Sequence, residues 1–208
     1  RMVTEDFARI GAVAPPREDE AYLTTPAWRH FHRRVYWVVG LAAAGLISGM
    51  VIHGFEDALT TLVILAFYMP MVADTGGNVG SQAATVVVRA LAVGEIGLRE
   101  WWRVVLKEAA VGLMLCSLLG ALAFAKVLFL SSGTELPAGY TLSQIAWVIS
   151  VALSIQTVTS TIVGAGLPML AKSVRLDAAV VSTPALTTIV DITGLMIYFT
   201  TAKALLHL

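Results

Sequence analysis

One carboxylate, Asp191, is the only charge among the 25 residues that follow Asp177 in DAAVVSTPALTTIVDITGLMIYFTTA, residues 177–202. At helical spacing Thr187, Asp191, Gly194 and Tyr198 lie four, three and four residues apart, so they share one stripe, with Thr183 a turn earlier. An Asp at the centre of a membrane span costs about 2.5–3.5 kcal/mol, which demands a partner, a proton or water. Three roles fit such a group: a protonated structural acid, a proton relay, or a cation ligand. Its surroundings favour the cation, because hydroxyls, exposed backbone at Gly194 and one carboxylate make an oxygen-only surface. The four histidines, His30, His32, His53 and His207, all fall outside the apolar segments or at their ends. Oxygen ligands suit magnesium or calcium, whereas zinc and copper recruit imidazole or thiolate.

A second polar island is PMVADTGGNVGSQAAT, residues 70–85, which holds Asp74, Gly76, Gly77, Asn78 and Gly80 behind Pro70. Two readings are open. A break in a membrane helix survives where protein or water satisfies the freed backbone, and such breaks commonly line a substrate path. Alternatively, small residues let helix backbones approach closely. On the first reading Asp74, Gly76, Gly77, Asn78, Thr183 and Gly194 line a pore. Asp74, nearer the cytoplasmic end of its span, would be an outer charge that concentrates cations.

The elements that must carry these residues are membrane helices. Apolar residues make up 57% of the 208 and charged residues 13%, against roughly 45–50% and 25% in ordinary globular domains. Equal numbers of basic and acidic residues, 14 each, give no nucleic-acid signal, and a lone Cys116 precludes an intrachain disulfide. About 20 apolar residues cross a bilayer. That measure predicts five spans, near 35–52, 58–88, 109–130, 145–171 and 178–202, in an all-α integral membrane protein with a broken second helix. If the spans alternate, Arg29, Arg33, Arg34, Arg89, Arg99, Arg103, Lys107, Lys172 and Arg175 fall on one side. The opposite loops carry Glu56, Asp57 and Glu135. The positive-inside rule then predicts a multi-pass protein of the cell membrane, N-terminus cytoplasmic and C-terminus external. Residues 1–27 are expected to be a cytosolic connecting helix and linker, and 28–208 the five-helix domain. An opening without Met or signal peptide leads to the expectation of a fragment lacking an N-terminal portion.

PMVADTGGNVGSQAATVVVRALAVGEI, LREWWRVVLKEAAVG and DAAVVSTPALTTIVDITGLMIYF, in that order and spacing, resemble the transmembrane domain of the MgtE family of magnesium channels. The resemblance covers essentially the whole chain. It implies a homodimer in the lipid bilayer, with a pore formed by the second and fifth spans around the dimer axis. It assigns the pore Asp to Asp191 and a carbonyl facing the ion to Thr187. It also implies magnesium held between Glu5 and Asp6 of the plug-like connecting helix and Asp177, closing the cytosolic mouth, so Mg2+ is both cargo and gating ligand. The family's N-terminal regulatory domains are not in this sequence, and Asp74 has no counterpart carried over from the family motif.

Magnesium releases water reluctantly and binds through few carboxylates. Two copies of Asp191 across a two-fold axis would address the hydrated ion and be neutralised by it. Rival expectations are a proton-coupled transporter, with an anionic solute at half-helix N-termini, and a non-conducting membrane scaffold. No enzyme is expected, since neither H-E-x-x-H nor G-x-S-x-G occurs.

Overall fold

The computed structural model describes residues 23–176 and 178–208, the side chains of 178–184 excepted. The chain folds into helices α1 (Ala27–Gly54), α2 (Glu56–Thr61), α3 (Ile64–Ala92), α4 (Trp101–Leu130), α5 (Leu142–Ser173) and α6 (Ala178–Leu206), with a 3-10 turn at Leu98–Glu100. Each long helix is built from the apolar runs read in the sequence, extended at its ends by interfacial and charged residues. By length and composition α1, α4, α5 and α6 can cross a membrane. The polar island lowers the hydropathy of α3 below that measure, although its 29 residues are long enough.

Helix ends carry local signals. Pro26 precedes α1, where its missing N–H costs nothing. Thr141 and Gln144 close a capping box on α5: the Gln144 N–H donates to Thr141 Oγ1 at 3.3 Å and the Thr141 N–H to Gln144 Oε1 at 3.0 Å. Between α5 and α6, Arg175 takes a φ of 61°, and the Leu176 N–H donates to Ala171 O at 2.9 Å. That is the left-handed closure usually made by glycine.

The second span is interrupted, but not where the glycines predict. Residues 70–85 are continuous helix within α3, and the break falls at Leu62 and Val63, between α2 and α3. The physical reason is that the glycines are packing positions. A Cβ on Gly164 of α5 would lie 2.2 Å from the carbonyl oxygen of Gly80, so α3 and α5 touch backbone to backbone. Gly112 and Gly120 bring α4 against α5 in the same way, facing Thr161 and Ser154.

α5 is therefore the central helix, packed against α3, α4 and α6, whereas α1 rests mainly on α6 and buries none of its residues. A core of Leu62, Leu65, Tyr68, Ile145, Ile149, Tyr198 and Phe199 fills one end of the bundle. There the Tyr68 hydroxyl hydrogen-bonds Ser131 Oγ at 2.7 Å, Tyr198 donates to Leu65 O at 2.8 Å, and Phe55 stacks on Phe199. These contacts place the ends of α1, α4 and α6 beside the start of α3. At the other end Lys172 donates to Leu91 O at 3.3 Å. All nine basic residues predicted to share a side thus sit at that second end, around the starts of α1 and α4 and the ends of α3 and α5.

Gly164→Ala should destabilise the chain by about 1–3 kcal/mol through forced separation of α3 and α5. Gly77→Ala, with open space beside the added Cβ, should keep or raise stability, by up to about 1 kcal/mol from helix propensity. Thermal unfolding of the two variants in detergent checks the contrast.

Candidate functional site

α3 presents two faces. Val72, Gly76, Val79, Gly80, Ala83 and Val87 are buried inside the bundle. Asp74, Asn78, Gln82, Thr85 and Arg89, spaced four, four, three and four, are all exposed. A helix with one apolar, small-residue face and one polar face places its polar stripe on the outside of the bundle.

Within the stripe the Asn78 amide donates to Asp74 Oδ2 at 3.3 Å, and Thr85 Oγ1 donates to Ser81 O at 2.7 Å. Arg89 lies 3.9 Å from Glu95 at the basic end. Asp191 of α6 is half-buried, and Val190 just before it packs on α3, where a Cβ on Gly80 would meet its Cγ2 at 3.5 Å. Two acids that the sequence separates by more than a hundred residues thereby lie on the two helices of one packed pair, α3 and α6. Thr187, one turn before Asp191, is also half-buried.

The stripe expected on α6 divides. Tyr198 is fully buried, and Gly194 faces the bundle interior, where an added Cβ would meet Gln156 Nε2 at 2.7 Å. Gly76 of α3 meets the same amide, at 2.5 Å. Both glycines therefore serve helix packing, while Gly77, half-buried with open space beside it, flanks the polar stripe. Asp74 lies in the half of α3 nearer Ile64, remote from the basic end. Glu5, Asp6, Asp177 and the side chain of Thr183 lie outside the described residues.

Two features escaped sequence reading. Thr85 continues the stripe of Asp74, Asn78 and Gln82, a continuation visible once residues 70–85 are given helical periodicity. Gln156 is completely buried on α5. Its signal was a single amide in the otherwise apolar and hydroxylic span 145–171.

Among the described residues no three His, Cys, Asp or Glu side chains gather to hold a metal ion. The site offers instead two carboxylates, an amide pair and hydroxyls along an open face, an arrangement able to attract a cation and address its water shell without stripping it.

A family model for MgtE, described as a divalent cation transporter, matches residues 69–201, which include the whole polar stripe and Asp191. The chain belongs to the MgtE family. It is 38% identical over 204 residues to the magnesium transporter MgtE of Thermus thermophilus, covering 98% of this chain and 43% of that protein. To the Bacillus subtilis protein of the same name it is 32% identical over 210 residues, again covering 43% of the relative's length. The Enterococcus faecalis protein is 28% identical over 174 residues. The chain thus spans less than half the length of these curated relatives.

If this face takes up magnesium, Asp74→Asn should weaken the binding about tenfold, equivalent to some 1.4 kcal/mol, because the face loses one of its two carboxylates. Calorimetric titration of the purified protein with MgCl2 reads the change. Unaltered affinity would separate Asp74 from the site.

Proposed function

We propose that the chain is the membrane domain of a channel that moves hydrated Mg2+ through a pore formed by two copies of the chain. In this reading all five long helices span the bilayer, and α3 and α6, the second and fifth spans, line the two-fold axis. The observation that carries it is the exposed stripe from Asp74 to Arg89 on α3, the helix packed against α6 with its half-buried Asp191. Such a stripe is costly against lipid and stable against a water-filled axis.

A two-fold axis duplicates every group on the lining face. Two Asp191 carboxylates with two Asp74 carboxylates nearby repel one another when the pore is empty, and a divalent cation relieves that repulsion. The scarcity of direct ligands suits an ion that keeps most of its waters. Asn78, Gln82 and Thr85 supply neutral donors and acceptors to the hydration shell along the path. Thr187 extends the lining by one turn, its backbone carbonyl turned to the ion.

The basic end faces the cytoplasm, by the positive-inside rule. Trp28, Phe31, Trp101 and Trp102, all exposed near that end, suit its membrane interface. The gate assigned to the same reading closes this mouth when Mg2+ bridges Glu5 and Asp6 to Asp177, and the N-terminal regulatory domains of longer relatives would hold the connecting helix there.

The test is Mg2+ flux into liposomes containing the chain, read with an enclosed magnesium dye and a pH dye together. Saturable Mg2+ entry without coupled proton movement is expected, and Asp191→Asn should abolish it while leaving the protein inserted. Proton-coupled entry would favour a transporter, and no flux in either protein a scaffold. Undiminished flux in Asp191→Asn would remove Asp191 from the pathway.

A further inference from the structure

Gln156 sits at the crossing of α3, α5 and α6 with none of its surface exposed. Its side chain fills the notch left by two glycines: a Cβ on Gly76 would stand 2.5 Å from Nε2, and one on Gly194 2.7 Å from it. The amide N–H donates to the carbonyl oxygen of Val190 at 2.9 Å. Thr193 Oγ1 reaches the same oxygen at 3.2 Å and Ile189 O at 2.8 Å. Gln156 Oε1, by contrast, has no hydrogen-bond partner among the described residues, and neither has Ser160 Oγ, one turn along α5 and close to Gly76.

An unpaired buried amide oxygen costs about 1–3 kcal/mol. A Met or Leu would fill the same notch without that penalty, so stability alone does not account for an amide at this position. What the amide supplies is register. Val190 immediately precedes Asp191, and Gly76 lies between Asp74 and Asn78 on α3. One side chain therefore fixes the α6 turn that carries Asp191 against the α3 turn that carries the other lining groups. Rotation of α6 by one residue, about 100° for 3.6 residues per turn, would carry Asp191 off the shared face.

We propose that Gln156 is the positioning residue for Asp191, holding its carboxylate at the lining face through the hydrogen bond to Val190 O. This rests on the reading of Asp191 as a cation ligand. The amide itself does not touch the ion. Its effect passes through helix rotation, as outer-shell hydrogen bonds orient ligands in metal sites generally.

The experiment measures thermal unfolding of the purified chain in detergent over a range of MgCl2 concentrations, for the unaltered protein, Gln156→Met and Asp191→Asn. Gln156→Met should unfold without magnesium at the same temperature as the unaltered protein or higher. Its half-saturating Mg2+ for stabilisation should rise about tenfold or more. Asp191→Asn should lose the magnesium-dependent shift. If Gln156→Met keeps the original Mg2+ dependence while Asp191→Asn loses it, the site stands and the positioning role falls. A drop in unfolding temperature for Gln156→Met in the absence of magnesium, or failure to fold, would make Gln156 a structural support and overturn the inference. A full magnesium shift in Asp191→Asn would take down the site itself, and the inference with it.

Discussion

The backbone contact between Gly80 of α3 and Gly164 of α5 is the constraint on which the rest of the bundle depends. Lipid is as apolar as leucine, so helices in it gain little by hiding hydrocarbon and associate instead by close packing and hydrogen bonds. Glycine at both positions lets α3 sit directly on α5, which brings Gly76 to Gln156, and Gln156 to Val190 of α6. Three helices are thereby fixed around one polar point. Larger residues at the contact would part α3 from α5 and draw Gly76 away from the Gln156 amide.

That packing also determines which way α3 turns its polar residues. With Gly76 and Gly80 committed to the interior, Asp74, Asn78, Gln82, Thr85 and Arg89 must face outwards. The same sixteen-residue island, 70–85, thus does two jobs on opposite sides of one unbroken helix. An outward polar stripe on a membrane helix calls for a wet partner surface, and in the proposed dimer a second copy of the same face would supply one at a two-fold axis. Sparse carboxylates on such an axis match the chemistry of a cation that travels with its water.

The helices were legible in the sequence because few structures besides membrane helices accommodate apolar runs of that length. The clustering of nine basic residues at one end was legible for a related reason, since it follows from alternation of the spans. What the sequence could not separate was packing glycine from breaking glycine. Both leave the same string, Gly76, Gly77 and Gly80, and only the partner, Gly164 with its close approach, distinguishes them. The true interruption at Leu62 and Val63 carries no glycine or proline and left no mark. On α6, the spacing of Thr187, Asp191, Gly194 and Tyr198 suggested one face, yet a membrane helix can be lined on one side and packed on the other. Gly194 and Tyr198 fell to the packed side because Gln156 and Leu65 O are there to meet them. Asp74 and Asp191 were each visible, but their placement on one packed pair of helices depends on how α3 and α6 cross.

The central claim is that the outer face of α3 borders water at membrane depth. Single cysteines at positions 74, 78, 82 and 85, in a background with Cys116 replaced by alanine, can be tested in liposomes with a membrane-impermeant thiol reagent. The account predicts labelling at these four positions, slowed by Mg2+, and none at Leu46 or Met50 of α1, which are exposed on the bundle surface and would face lipid. Labelling absent from all four stripe positions, or equal on α1 and α3, would contradict it.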